Sequence, residues 1–361
     1  MPPHGASPAD GPASCGRQHL LKTTDFDVLA AALGGWELEF QQLGRGTFLG
    51  EAHQVQVGGI SVLRLSANRV IQARGTHRPG GYAFAPILPT NERATWRGRR
   101  LKPGQINVNP PSGVVDHLTS ADYSLLNLDV DVETFQTSAE VLCGLDLGER
   151  LAGGKALSPS PEAFAALEAS LRQLLVDAQA HPALLESPEA CKAIEQTCVG
   201  QLLRAITSAD LVGGAPVTVG DREPVVRRAE ELMLAHLDRP LHVEEICAEL
   251  GVSERTLRYA FHDLFGLSPM AYFKAKRLNA VRHQFKRAGP EAPSVHVIAE
   301  RWGFAHTGGF AADYRRLFGE LPSAALGASP TYPRPAWARG VASQPPAATY
   351  AIEAQELNSH E

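Results

Sequence analysis

Arg255, Arg258 and Tyr259 occur together in the stretch "RTLRY", with His262 three residues further on. Two guanidinium groups three positions apart stand on one side of a helix, about a turn from each other. Each carries a planar fork of donors. Such a fork suits flat edges that offer two acceptors, as phosphate oxygens or the guanine O6 and N7 do. The surrounding charge fits the same chemistry. Between Gly251 and Ala288 there are eight Lys or Arg against Glu254 and Asp263, a local balance of +6. The whole chain of 361 residues carries −5, which leaves −11 elsewhere. His262 and His283 can add to the positive region. This asymmetry suggests a part built for a polyanion; the plainer alternative is a solvated helix face.

The elements that must position these residues can be read on either side. Val243, Ile246, Cys247 and Leu250 fall at helical spacing and give one buried stripe. Gly251 permits the left-handed backbone of a tight turn, and Ser253 is a good N-cap for a second helix. Leu257, Ala260, Phe261, Leu264 and Phe265 form a second stripe, opposite Arg255, Arg258, Tyr259 and His262. Two short helices, a tight turn and an Arg-bearing second helix describe a helix-turn-helix, whose second helix enters the DNA major groove.

The pattern recurs. In "SVHVIAERWGFAHTGGFAADYRRLFGELPS", Val295, Ile298 and Ala299 share a face and Gly303 takes the place of Gly251, 52 residues on. Phe310, Tyr314, Phe318, Gly319 and Pro322 repeat Leu257, Phe261, Phe265, Gly266 and Pro269 at an offset of 53, so the second turn is one residue longer. Residues 268–288 between the copies read as one helix of about 31 Å. One turn of B-DNA is about 34 Å, so this helix could hold two readers in successive major grooves.

With both copies in view, residues from about 223 to 326 resemble the DNA-binding domain of AraC/XylS-type bacterial transcription regulators. The resemblance rests on the paired motifs, on "RLNAVR" in the connecting helix and on "WGF…F…Y…LFGELPS" at the end. Within the family these stretches are most similar to a subgroup containing the ethanolamine-utilisation regulator. The resemblance implies Arg255, Thr256, Arg258 and Tyr259 as base-reading candidates, Thr256 lying nearest the backbone. The second copy offers Thr307, Gly308, Gly309 and Ala312, which have little hydrogen-bonding reach and allow close approach or contact with a thymine methyl. The first copy should therefore carry most sequence discrimination. The second should act as a backbone clamp through His306, Arg315 and Arg316, with Ser253 a further backbone candidate. Trp302, Phe304 and Phe310 are expected in the core. The resemblance further implies double-stranded promoter DNA and RNA polymerase as partners, a homodimer, activation more often than repression, and a small-molecule effector whose identity the sequence does not give.

The rest of the chain suggests an α+β protein. Residues 1–17 and 329–361 are rich in Pro, Ala, Gly or Ser and read as disordered tails. From about 36 to 129, short runs such as "WELEFQQL", "ISVLRLSA" and "YSLLNLDV" alternate with turn signals, as an antiparallel barrel or sandwich would. Amphipathic helices come next, near 161–180 and 188–208. Phe164, Leu167, Leu171, Leu174 and Leu175 mark the stripe of one, and Ile194, Cys198, Leu202 and Ile206 that of the other. Residues 18–210 thus form an expected effector-binding and dimerisation domain, cupin-like by the resemblance. A linker at 211–222 leads to the all-α domain at 223–328, where a long helix joins two helix-turn-helix units. Trp36, Arg64, Phe84, Trp96 and Tyr123 are candidates for the wall of a ligand space, each equally readable as core or surface.

Five scattered cysteines (15, 143, 191, 198 and 247) and no targeting segment suggest free thiols and a cytoplasmic protein. A metal-dependent cupin-type enzyme would need two or three imidazoles and a carboxylate on one ion. His53, His77 and His117 are far apart and show no His-x-His pair. No cofactor, metal or catalytic group is expected.

Overall fold

The computed structural model describes residues 15–34, 36–91, 94–144, 146–151, 154–211, 223–288, 293–304 and 307–327. The expected linker beyond 211, most of the first tail and the second tail lie outside them.

Strand alternation builds the first domain. The strands are β1 (Gly16–Thr23), β2 (Trp36–Gln42), β3 (Gly50–Val57), β4 (Ile60–Ala67), β5 (Ile71–His77), β6 (Gly81–Pro86), β7 (Thr95–Trp96) and β8 (Arg99–Arg100). They continue with β9 (Ile106–Asn109), β10 (Val114–Leu118), β11 (Tyr123–Asp131), β12 (Ala156–Ser158) and β13 (Asp210–Leu211). Gly58 and Gly59 close the β3–β4 hairpin, pairing Val57 with Ile60. The strands form two sheets, ordered β1-β3-β4-β11-β6-β9-β12-β13 and β2-β5-β10-β7-β8. The result is a sandwich and not a closed barrel. Strand β1 takes in Gly16 and Arg17, and β13 takes in Leu211.

The larger sheet serves two cores. On β4 and β11, Leu63, Leu65 and Tyr123 face the second sheet, while Ile60, Val62, Leu126 and Leu128 face outward. That outer face is covered by α2 (Val132–Cys143), α4 (Pro161–Ala180) and α5 (Pro188–Ser208); the short α1 (Phe26–Ala32) and α3 (Gly148–Leu151) complete the domain. Helices α4 and α5 have the expected bounds. Their stripes, including Leu167, Leu171, Leu202 and Ile206, are spent on the sheet and are not free to pair with another copy. The expectation of free thiols fails at one pair. Cys15 and Cys191 form a disulfide across 176 residues, with Cα atoms 6.5 Å apart. Sequence spacing gave no sign of that proximity.

The second domain runs through α6 (Glu223–Ala235), α7 (Val243–Leu250), α8 (Glu254–Phe265), α9 (Pro269–Arg287), α10 (Val295–Arg301), α11 (Thr307–Phe318) and α12 (Pro322–Gly327). Helix α9 starts with Ser268 Oγ accepting from Ala271 N at 3.3 Å and Pro269 in the first turn. Its 19 residues span about 28 Å. The helix rests on the second sheet, and its core is continuous with the space between the sheets.

Candidate nucleic-acid interface

Helices α7 and α8 meet at Gly251, whose φ of +68° is the left-handed turn the motif requires. Ser253 Oγ accepts from Thr256 N at 3.1 Å and caps α8. Leu257, Ala260, Phe261 and Phe265 are buried, which turns Arg255, Thr256, Arg258 and Tyr259 outward together. The Arg255 guanidinium lies 5.3 Å from the Tyr259 ring centre. One face of α8 thus presents two forks and a phenol to solvent.

The second pair repeats the frame. Gly303 has φ +72°, and Phe310, Tyr314 and Phe318 are buried beneath α11. Gly309, Arg315 and Arg316 are exposed, as is Ala312. Arg316 Nη1 lies 3.3 Å from Asp313 Oδ1. A Cβ on Gly309 would meet no heavy atom of the described residues within 4 Å. Thr307 and Gly308 begin the helix; His306 lies outside the described residues. Phe310 is core as expected, while Trp302 and Phe304 are half-buried against it.

Not all of the local positive charge faces outward. Of the eight basic residues between 251 and 288, Lys276, Arg277, Arg282 and Lys286 turn inward to protein partners, and the more exposed Lys274 pairs with Asp313 at 2.9 Å. Lys276 Nζ donates to Gln72 Oε1 at 2.7 Å and also to Gln41. Arg277 Nε donates to Trp302 O at 2.7 Å and braces the second pair. Arg282 holds Asp25 Oδ1 at 2.9 Å and also Asp27, and Lys286 joins Asp25. Asn279 exchanges two hydrogen bonds with the Gln42 backbone, at 2.8 and 3.0 Å. Burial would lift the Asp25 carboxyl, but Arg282 and Lys286 outweigh it and hold it below the usual value. The "RLNAVR" stretch therefore supplies Arg277, Asn279 and Arg282 as structural anchors. The signal that could have shown this is a run of polar residues on the apolar side of one helix.

Residues 246–327 match the family described as "Helix-turn-helix domain". The chain is 39% identical over 99 residues to "Probable thc operon regulatory protein" of Rhodococcus erythropolis, covering 27% of this chain and 30% of the relative. It is 32% identical over 103 residues to "XylDLEGF operon transcriptional activator 1" of Pseudomonas putida, covering 28% and 31%. The C-terminal domain is of the AraC/XylS type. The chain spans about a third of the length of these two relatives. Among solved structures, the DNA-binding domain of the global transcriptional factor AdpA in complex with a target DNA is 26% identical to it. That match covers 28% of this chain and 87% of that one, with a TM-score of 0.26. An AraC/XylS-type domain is a DNA-binding module of transcription regulators, and within it α8 exposes Arg255, Thr256, Arg258 and Tyr259.

A second feature lies in the first domain. The space between the sheets is a cavity of about 80 Å³, bounded mainly by Leu, Ile, Ala and aromatic side chains. Trp36, Trp96 and Tyr123 line it, as the candidates for a ligand wall would. Arg64 points to solvent, and Phe84 lies in the outer core under α2. The three histidines do not converge. His53 Nε2 meets Gln18 at 3.2 Å, His77 Nε2 meets Asp129 at 2.8 Å, and His117 lines the cavity edge-on to Tyr123. Among the described residues, no three His, Cys, Asp or Glu side chains are grouped to hold a metal ion. No helix among them is long and apolar enough to cross a membrane.

Proposed function

We propose that this protein is a bacterial, cytoplasmic, sequence-specific transcription regulator that reads two adjacent major grooves with α8 and α11. The observation that carries it is the exposed set Arg255, Thr256, Arg258 and Tyr259 on a capped helix within the AraC/XylS-type domain. The first helix pair reads bases. The second approaches closely at Thr307, Gly308, Gly309 and Ala312 and grips phosphates through His306, Arg315 and Arg316, with Ser253 doing so beside α8. The relative from Pseudomonas putida is by name an activator, which supports activation over repression; RNA polymerase is the partner activation would need. The ethanolamine subgroup receives no support from the two operon regulators.

The cavity supports a small-molecule effector bound in the first domain. A homodimer would use surface other than the α4 and α5 stripes, such as exposed Val141, Leu142 and Val176. Selection of sites from random duplex DNA, then footprinting, tests the reading. Protection across two adjacent grooves on one face is expected; a footprint shorter than one helical turn contradicts it. Light scattering with and without the selected site tests the dimer.

A further inference from the structure

The second sheet is a wall shared by the cavity and the DNA-binding domain. On β5, Ile71 and Ala73 line the cavity, while Gln72 and Arg74 reach Lys276 and Glu230. On β10, Val115 and His117 line it, while Asp116 between them holds Arg74 at 3.3 Å. On β2, Leu38 and Phe40 line it, while Gln41 meets Lys276 and the Gln42 backbone meets Asn279. Successive residues of a strand serve opposite faces. A strand that shifts to fit a molecule on one side therefore shifts the groups that hold α6 and α9 on the other.

The cavity also has a chemical character. Trp96 Nε1, Asn107 Oδ1, Asn109 Oδ1, His117 Nε2 and the Tyr123 hydroxyl are buried on its wall with no hydrogen-bond partner among the described residues. Buried polar atoms normally find partners. This set holds a fixed donor in the indole N–H, two amide acceptors, and two groups that can do either. Among the described residues, no Asp, Glu, Lys or Arg side chain lines the space. Burial pushes the His117 imidazole down to about 4, so it is neutral at physiological pH. Burial likewise raises Tyr123 and keeps it a phenol. A charged guest would find no counter-charge among them. The volume is several times the roughly 10–15 Å³ that one water needs and suits a single small ring.

The geometry points to both a ligand class and a route, resting on the regulator reading above: the cavity takes an uncharged, ring-sized molecule bearing a hydrogen-bond donor and an acceptor, and its occupancy passes through β2, β5 and β10 to α6 and α9. A molecule that fits the docked form favours docking. By linkage, docking must then favour the molecule by the same factor.

Three probes of similar size test this on the full chain: benzamide, phenol and benzoate, the last a charged near-isostere of the first. Trp36 and Trp96 fluorescence reports binding, and hydrogen exchange in α9 reports docking. Benzamide and phenol should bind at least tenfold more tightly than benzoate and slow exchange in α9. Ala73→Phe, which fills the cavity, should abolish this; Ala67→Leu is the gentler form should that variant not fold. Glu230→Gln and Asn279→Ala lie outside the cavity, and each should weaken benzamide binding at least threefold. Benzoate binding as tightly as benzamide overturns the ligand class. Unchanged benzamide affinity in both interface variants, or unchanged α9 exchange, overturns the route. Binding by none of the probes overturns both. Loss of the regulator reading would show separately, as failure of the unliganded chain to prefer any selected DNA site.

Discussion

Arg74 Nη2 of β5 lies 2.9 Å from Glu230 Oε2 of α6, an ion pair that joins the two domains beside those of Arg282 and Lys286 with Asp25 and Asp27. The Tyr272 hydroxyl bonds to the same carboxylate, and Glu230 is buried. Among the described residues, removing Glu230 leaves Arg74 with Asp116 alone and the buried Tyr272 hydroxyl with only Gln72. Arg74 is one-third exposed, which moderates the loss. Glu230→Ala should cost about 1–3 kcal/mol in urea unfolding. Arg74→Ala should cost less, because the Glu230 carboxylate keeps its bond to Tyr272.

The same cluster predicts a pH dependence. Burial, with help from Arg74, holds the Lys276 ammonium down to about 7 against an ordinary 10.5, although Glu230, Glu39 and Asp116 oppose it. Between these values the undocked chain binds a proton that the docked chain has shed. Docking should therefore strengthen as pH rises from 7 towards 10, and this contribution is at its lowest and flat below 7. Urea midpoints of wild type from pH 6 to 9.5 should rise accordingly, and in Lys276→Met the rise should flatten.

Two glycines should respond in opposite ways. A side chain at Gly309 meets open space in the free protein, so Gly309→Leu should leave the melting temperature unchanged while blocking DNA through a clash with the groove wall. Gly319 has φ +77°, and a Cβ there would come 2.7 Å from Thr47 N. Gly319→Ala should cost about 1–3 kcal/mol of stability. Thermal melts and DNA titrations on both variants check this. A parallel loss of stability and binding in Gly309→Leu would mean that the glycine only shapes the turn.

Arg315 and Arg316 sit exposed on α11, and phosphate contacts act through released counterions. Replacing either with Ala should weaken binding to selected and unrelated DNA alike and flatten the salt dependence by about one unit of slope. Titrations at two salt concentrations read both effects.

The second domain was largely legible in the sequence. Its helices obey local rules: a turn glycine at 251, caps at Ser253 and Ser268, and stripes with a 3.6-residue period. Helices α4 and α5 were equally plain, because each opens with Ser-Pro and carries a long stripe. Strands β1, β7, β8, β10, β12 and β13 escaped; all but the eight-residue β1 are two to five residues long and too short for a periodic signal. The order of strands depends on pairings such as Tyr123 with Ala67, which lie far apart in the chain. The inward turn of Lys276, Arg282 and Lys286 escaped for a related reason. Their partners Gln41, Gln72, Asp25 and Asp27 are more than 200 residues away, so charge alone read as a face for DNA. The disulfide and the cavity likewise arise only when distant strands and helices meet.

We propose that α8 reads sequence through Arg255 and Arg258. Its most direct test is the ratio of affinities for a selected site and its scrambled version, measured for wild type, Arg255→Ala and Arg258→Ala. Each substitution should cost about 1–3 kcal/mol on the selected site, much less on the scrambled one, and relax preference at one base pair. An unchanged ratio in both variants would contradict the assignment of α8 as the main sequence reader.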